Sequence, residues 1–320
     1  MPTMVVARFA ALTIALASLS PSTSFSQSAP GPIKPDDLMR HVAVLAHDSL
    51  EGRAMGTPGN AKARAYLVRA FTDARLQALG RSFEHSFSTR GQRDTVDRQG
   101  VNIIGVIRGR TTPNQYIVLT AHYDHVGVRQ GAVFNGADDN ASGASALVEI
   151  ARQLAAKPPA HSVLIVAFDG EESGLRGARA FVAQPPVPPA QIVMNVNMDM
   201  MGRNDKNELY AAGTSHYPFL RPYLDSVVTR SAITLKLGHD DPAGPARDNW
   251  TGQSDHGAFH AAKIPFIYFG VEDHPDYHRA TDDTERLMPA FYAGAVNTVL
   301  DALRVFDANL GKIASSAQSR

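Results

Sequence analysis

Five apolar runs stand out along the chain: Asn102–Ile107, Tyr116–Thr120, Ser162–Phe168, Ile192–Met198 and Pro265–Phe269. Most are near-continuous in Val, Ile, Leu and Phe rather than alternating, which is the pattern of strands buried on both faces. Between them the apolar period lengthens to that of a helix. Ala144, Leu147, Val148, Ala151 and Leu154 mark one face of Ala141–Ala155. Gly174–Val182, Phe219–Arg230, Gly257–Ala262 and Pro289–Phe306 read as further helices. Upstream, Asp37–Leu50 predicts a short first helix that runs into the turn-rich string EGRAMGTPGN. Asn60 is placed to cap the next helix, along which Leu67, Phe71, Ala74 and Ala78 keep the helical period until Gly80. Strands alternating with helices predict an α/β domain with a mostly parallel sheet covered on both sides. The stretch Asn204–Gln253 carries the weakest pattern.

Polar residues interrupt this apolar framework where strands end. TAHYDHVG supplies His122 and Asp124, FNGADDNASG supplies Asp138 and Asp139, and Glu171 and Glu172 follow SVLIVAF. VNMDMMGR adds Asp199, and DYHRATDD adds His278 and Asp282. Ligands of parallel sheets collect at the C-terminal strand ends, so these groups point to one site. A mixture of imidazole and carboxylate suits a divalent metal. Singly, most have a plain explanation. His122 and Asp124 can be a solvated turn pair, either Asp138 or Asp139 can cap a helix, and His278 can be a surface histidine. Glu171, Glu172 and Asp199 resist such readings, because unpaired charge next to a buried strand is costly. Of two adjacent glutamates, one held by metal is a fixed anion and the other is free to act as a general base. His122 and Asp124 divide in a similar way, one binding metal and the other orienting it.

Composition narrows the picture further. The 320 residues carry 31 Lys+Arg against 31 Asp+Glu, so charge offers no case for a nucleic-acid or membrane-surface partner. No cysteine is present, which rules out disulfides and a cysteine-borne lipid anchor. There is no GxGxxG, and no GK[ST] to cradle a nucleotide phosphate. At the N-terminus, Arg8 precedes the apolar run Phe9–Leu19 and small residues at Ser24 and Ser26. That run is too short to span a membrane and predicts an export signal. The expected organisation is a signal peptide over 1–26, a linker over 27–36, a single domain over 37–310 and a tail over 311–320. The mature protein is expected to be periplasmic or secreted, with no stable membrane association.

The strings AHYDHVG, NGADDNASGAS, FDGEESGLRGA, NMDMMG, SDHGAFHAAKIP and YHRATDD together resemble the co-catalytic dizinc exopeptidases of the aminopeptidase Y and bacterial leucyl aminopeptidase type. The likeness runs from about Leu45 to about Leu287. It implies a phosphorylase/hydrolase-like three-layer α/β/α sandwich with a mixed, mostly parallel central sheet, and two zinc ions per chain. By motif position, His122 and Asp199 would bind the first zinc, Glu172 and His278 the second, and Asp139 both. The peptide Asp139–Asn140 would be cis. Glu171 would be the general base, Asp124 the partner of His122, and Tyr277 an oxyanion donor. Ser254, Asp255 and His256 form a family signature with no assigned metal role. The string HRATDDT departs from the HTPxDT of many relatives, in a loop that shapes the substrate entrance.

The activity implied is hydrolysis of N-terminal residues from peptides with a free N-terminus. A carboxypeptidase or amidohydrolase on the same scaffold is the alternative. A glutaminyl-cyclase-like acyltransferase is disfavoured by His122, which those one-zinc relatives lack. A non-catalytic binding homologue is disfavoured because the five ligands and Glu171 are all present. Trp250, Phe259 and Tyr268 are candidates for a side-chain pocket.

Overall fold

The computed structural model describes residues 1, 3–4, 31–90 and 97–319. The segment read as an export signal therefore lies, from residue 5 onward, outside the described residues, as do residues 27–30 of the linker. Among the described residues no helix is long and apolar enough to cross a membrane.

The strands are β1 (Gln77–Ala78), β2 (Glu84–Thr89), β3 (Arg98–Ile107), β4 (Thr112–His122), β5 (Gly127–Arg129), β6 (Ala132–Phe134), β7 (His161–Phe168), β8 (Ile192–Asp199), β9 (Glu208–Ala212), β10 (Thr234–Leu237) and β11 (Phe266–Gly270). The α-helices are α1 (Pro35–Leu45), α2 (Pro58–Asp73), α3 (Gly143–Ala156), α4 (Arg176–Ala183), α5 (Arg221–Val228), α6 (His256–Ala261) and α7 (Pro289–Gln318). Nine strands form one mixed sheet in the order β1-β3-β7-β4-β8-β11-β9-β10, with β2 also on β3; β5 and β6 form a separate hairpin. At the centre, β7, β4, β8 and β11 are mutually parallel. The flanking strands β3 and β9 run antiparallel to them.

The sheet separates two apolar cores, because successive side chains of a strand point to opposite faces. Leu164, Val166 and Phe168 of β7 face a smaller core with Phe181 of α4 and Phe259 of α6. Val163, Ile165 and Ala167 face a larger one built with α1, α2, α3, α5 and α7. The apolar runs were continuous because both faces of these strands are covered. The result is the three-layer α/β/α sandwich.

Several local expectations need correction. Thr57, not Asn60, caps α2: its hydroxyl accepts from the Asn60 amide, and Asn60 instead uses its side chain on Arg53 O and Asp169. That helix ends at Asp73, before Ala78, because Arg75 takes a left-handed φ of 63° and Ala78 pairs with β3. The first helix stops at Leu45, and Asp48–Arg53 is a separate 3-10 segment. Helix α7 continues through Gln318, into the stretch read as a tail. Within the weakly patterned 204–253, the structure has β9, α5 and β10.

Candidate metal centre

The four parallel strands deliver their C-terminal ends to one edge of the sheet. His122 is the last residue of β4 and Asp199 the last of β8, while Glu171 and Glu172 lie on the loop that joins β7 to α4. Tyr277, His278 and Asp282 come from the loop after β11. Asp139 sits in the irregular turn Ala137–Ser142, and its peptide to Asn140 is cis. The turn is held from across the fold. The Asp282 carboxylate accepts both the Asp138 N–H (3.0 Å) and the Asp139 N–H (3.1 Å).

Neither Asp138 nor Asp139 caps α3. Asn140 does the nearest equivalent, accepting the Gly143 N–H at 2.9 Å. Asp138 accepts the Gly202 N–H at 2.6 Å and lies 3.1 Å from His274 Nε2, turned away from Asp139. Asp139 faces the strand ends. Its Oδ1 lies 3.4 Å from His122 Nε2, and its Oδ2 lies 3.0 Å from His278 Nε2. His122 Nε2 is also 3.3 Å from Asp199 Oδ1, and His278 Nε2 is 3.2 Å from Glu172 Oε2. The five residues expected to be ligands thus fall into two groups that share Asp139.

The structure adds His125, which sequence reasoning missed. Its Nδ1 approaches Glu172 Oε1 to 2.6 Å and Asp139 Oδ2 to 3.6 Å. The local string offered one signal, a second histidine three residues after His122, but nothing in the pattern of a loop shows which way it turns.

Asp124 does two things. Its carboxylate accepts the Glu171 N–H at 3.0 Å and lies 3.7 Å from His122 Nδ1, while its carbonyl oxygen is closer to that ring nitrogen at 3.1 Å. It therefore pins the Glu171 loop as well as the imidazole. Glu171 Oε2 is 3.9 Å from His122 Nε2. Tyr277 is half-buried and stacks on His278, with ring centroids 4.0 Å apart.

Electrostatics follow from crowding six carboxylates, Asp124, Asp139, Glu171, Glu172, Asp199 and Asp255, into a largely buried space. Burial first, then Asp199, Asp255 and Asp124, push the Glu171 carboxyl well up. Burial would also raise Asp139, but His125, His122 and His278 together hold it well below the usual carboxylate range. Hydrogen bonding to Asp139 and Glu172 raises the His278 imidazole to about 10. Burial pushes the Tyr277 phenol up, so it stays protonated. Beneath the centre lies Arg53, fully buried, which donates to the carbonyls of Tyr123, Leu45, Asn135 and Gly136.

The donor set fits a pair of divalent ions. Imidazole nitrogens and carboxylate oxygens of His122, Asp139 and Asp199 lie within 4.8 Å of one another, as do those of His125, Asp139 and Glu172. Glu172 Oε1 and both ring nitrogens of His125 are buried without a hydrogen bond, which a bound cation would satisfy. Trp250 and Tyr268 line the cavity above, whereas Phe259 packs in the smaller core with Phe168 and Phe181. Within the signature Ser254–His256, Ser254 accepts from Asn197 Nδ2 at 2.9 Å and His256 Nε2 donates to Trp250 O at 2.9 Å, while the Asp255 carboxylate is buried without a hydrogen bond.

Residues 102–303 match the model of peptidase family M28. Aminopeptidase YwaD of Bacillus subtilis is 32% identical over 203 residues, 58% of this chain and 40% of that protein, so the chain spans well under half of the relative's length. Among solved structures, the zinc aminopeptidase BSAP from Bacillus subtilis superposes with a TM-score of 0.68 at 19% identity, covering 88% of this chain and 96% of the other. A Fimbriiglobus ruber glutaminyl cyclase superposes with a TM-score of 0.70 at 20% identity, covering 90% of this chain and 99% of that one. One fold is thus common to proteins with both of these names.

Proposed function

The chain belongs to peptidase family M28, and from that premise we propose that it is an exported, dizinc-dependent aminopeptidase removing N-terminal residues from peptides. The observation that carries the reading is the Asp139 carboxylate. Its two oxygens face two separate imidazole–carboxylate groups, His122 with Asp199 and His278 with Glu172. A single-ion site would not need a carboxylate turned both ways.

His122 and Asp199 would hold one ion, Glu172 and His278 the other, and Asp139 both. When bound, the ions supply Lewis acidity and bring the pKa of water from about 15.7 toward 7. Glu171, left out of the ligand set, takes the proton from the attacking water and delivers it to the leaving amine. Asp124 keeps Glu171 in reach by accepting its backbone N–H. The Tyr277 phenol, protonated and packed on His278, donates to the oxyanion that develops on the scissile carbonyl. The α-ammonium of a peptide is recognised by the carboxylates that crowd the cavity.

The test is a panel of short peptides, each with a free and an acetylated N-terminus, incubated with zinc and with a chelator. Chelator-sensitive release of the first residue from only the free-amine forms is expected. Cleavage that ignores acetylation would replace this reading with a carboxypeptidase or amidohydrolase.

A further inference from the structure

The cavity over the centre has a volume of about 370 Å³ and a mostly acidic lining. Its lining carries five carboxylates, Asp139, Glu171, Glu172, Asp199 and Asp273, and Arg179 is the sole Lys or Arg among its lining residues. Arg179 is exposed and, among the described residues, has no ion-pair partner. Its backbone is tied to that of Glu171. The Leu175 N–H donates to Glu171 O at 2.9 Å, the Gly177 N–H to Asp169 O at 2.9 Å, and the Arg179 N–H to Leu175 O at 2.9 Å. The glutamate loop and the helix that bears Arg179 are therefore one hydrogen-bonded unit. A second cavity of about 480 Å³ shares Leu175, Arg179 and Gly252 with the first. It continues between α4 and α6 over Val182, Gly257, Ala258 and Ala261, a floor of small apolar groups. Arg179 stands where the two cavities meet.

We propose that Arg179 anchors the C-terminal carboxylate of a short peptide, so that the preferred substrates are dipeptides with an apolar second residue whose side chain enters the α4–α6 groove. This rests on the aminopeptidase reading above. In a dipeptide the carboxylate lies one residue, about 3.5 Å, beyond the scissile nitrogen. A zwitterionic dipeptide then meets opposite charge at both ends, its ammonium against Glu171 and Asp273, the lining carboxylates left outside the ligand set, and its carboxylate against the guanidinium. The planar guanidinium fork suits a carboxylate better than a lysine ammonium would. A longer peptide places a neutral amide opposite Arg179 and forgoes the pair.

The test compares kcat/KM for Leu-Leu, Leu-Leu-amide and tetraleucine in the zinc-loaded protein and in Arg179→Gln and Arg179→Lys. Wild type is expected to prefer the free dipeptide over its amide by about tenfold, the range of a hydrogen bond to a charged group. In Arg179→Gln that ratio falls to within about threefold of one, with the loss in KM, because the carboxylate is held equally in ground and transition states. Arg179→Lys restores part of it. If wild type cleaves acid and amide at equal rates, or prefers the tetrapeptide, the assignment of Arg179 is overturned while the aminopeptidase reading stands. If none of the three is cleaved by metal-loaded protein, the aminopeptidase reading itself falls.

Discussion

His125 Nδ1 and Glu172 Oε1 are 2.6 Å apart, both buried, and the contact lacks the geometry of a hydrogen bond. Together with Asp139 these two atoms fall within 4.8 Å of one another, within reach of a single shared cation. The other Glu172 oxygen meets His278, so this carboxylate is gripped between two imidazoles. Space for the His125 ring exists because residue 136 is glycine, where a Cβ would come within 2.5 Å of the ring.

From that relationship, His125→Ala is expected to lower affinity for the second ion by about 10- to 100-fold, the usual cost of losing a supporting or weak ligand. The first ion, which the proposal assigns to His122 and Asp199, should change little. Chelator competition with metal analysis reads both. Unchanged affinity at both sites would reduce His125 to packing.

Glu171→Gln should cut kcat by about 10²- to 10⁴-fold, the span of a lost general base, with two ions still bound. Metal content measured alongside the rate separates the roles, since loss of an ion in this variant would make Glu171 a ligand.

Asp139→Ala should lower occupancy of both ions together, because one oxygen serves each group. Asp138→Asn is the contrast. It weakens the contacts to the Gly202 N–H and His274, and is expected to cost about 1–3 kcal/mol of stability with both ions retained. Full occupancy in Asp139→Ala would move the bridge to Asp138.

Acid should destabilise the fold through His256. Burial, with His260 and His216 nearby, pushes this imidazole down to about 3, and it stays neutral while donating to Trp250 O. The unfolded chain takes up a proton below pH 6.5 and the folded one does not. Stability from this group is therefore complete above that pH and falls by about 1.4 kcal/mol per unit down to about pH 3. Denaturant unfolding at pH 7 and pH 5 should show a smaller loss in His256→Phe than in wild type; parallel losses would sink the assignment.

Arg53→Met should cost about 3 kcal/mol or more, because four buried carbonyls lose their donor. Burial lowers this guanidinium to about 10, with Asp139 and Asp124 opposing the drop, so it remains a cation at neutral pH. Urea unfolding of the metal-free forms checks the figure.

Local signals were legible where one residue type has one physical use. The run SVLIVAF, short and rich in β-branched residues, reads as a buried strand, and all five predicted strands are present in the sheet. Helix ends were less legible. Ala74 and Ala78 suit a helical stripe as well as a sheet edge, and only the pairing of Gln77–Ala78 with β3 decides between them. Thr57 and Asn60 are both good caps by type, and Asn60 was drawn inward by Asp169, 109 residues away.

The sequence by itself determined which donors this protein has, and that they follow apolar strands, since residue type and short-range hydrophobic spacing are properties of a few neighbouring positions. Only the tertiary structure decided how those donors are shared out. The order β7-β4-β8-β11 differs from the order along the chain, and it arises from burying both sheet faces at once. That non-local packing turned Asp139 toward two groups and Asp138 away, and set Asp282 beneath a turn 144 residues earlier. It also brought His125 to Glu172 and Arg179 to the rim of the cavity. Each of these depends on contacts between distant segments, which no window of sequence contains.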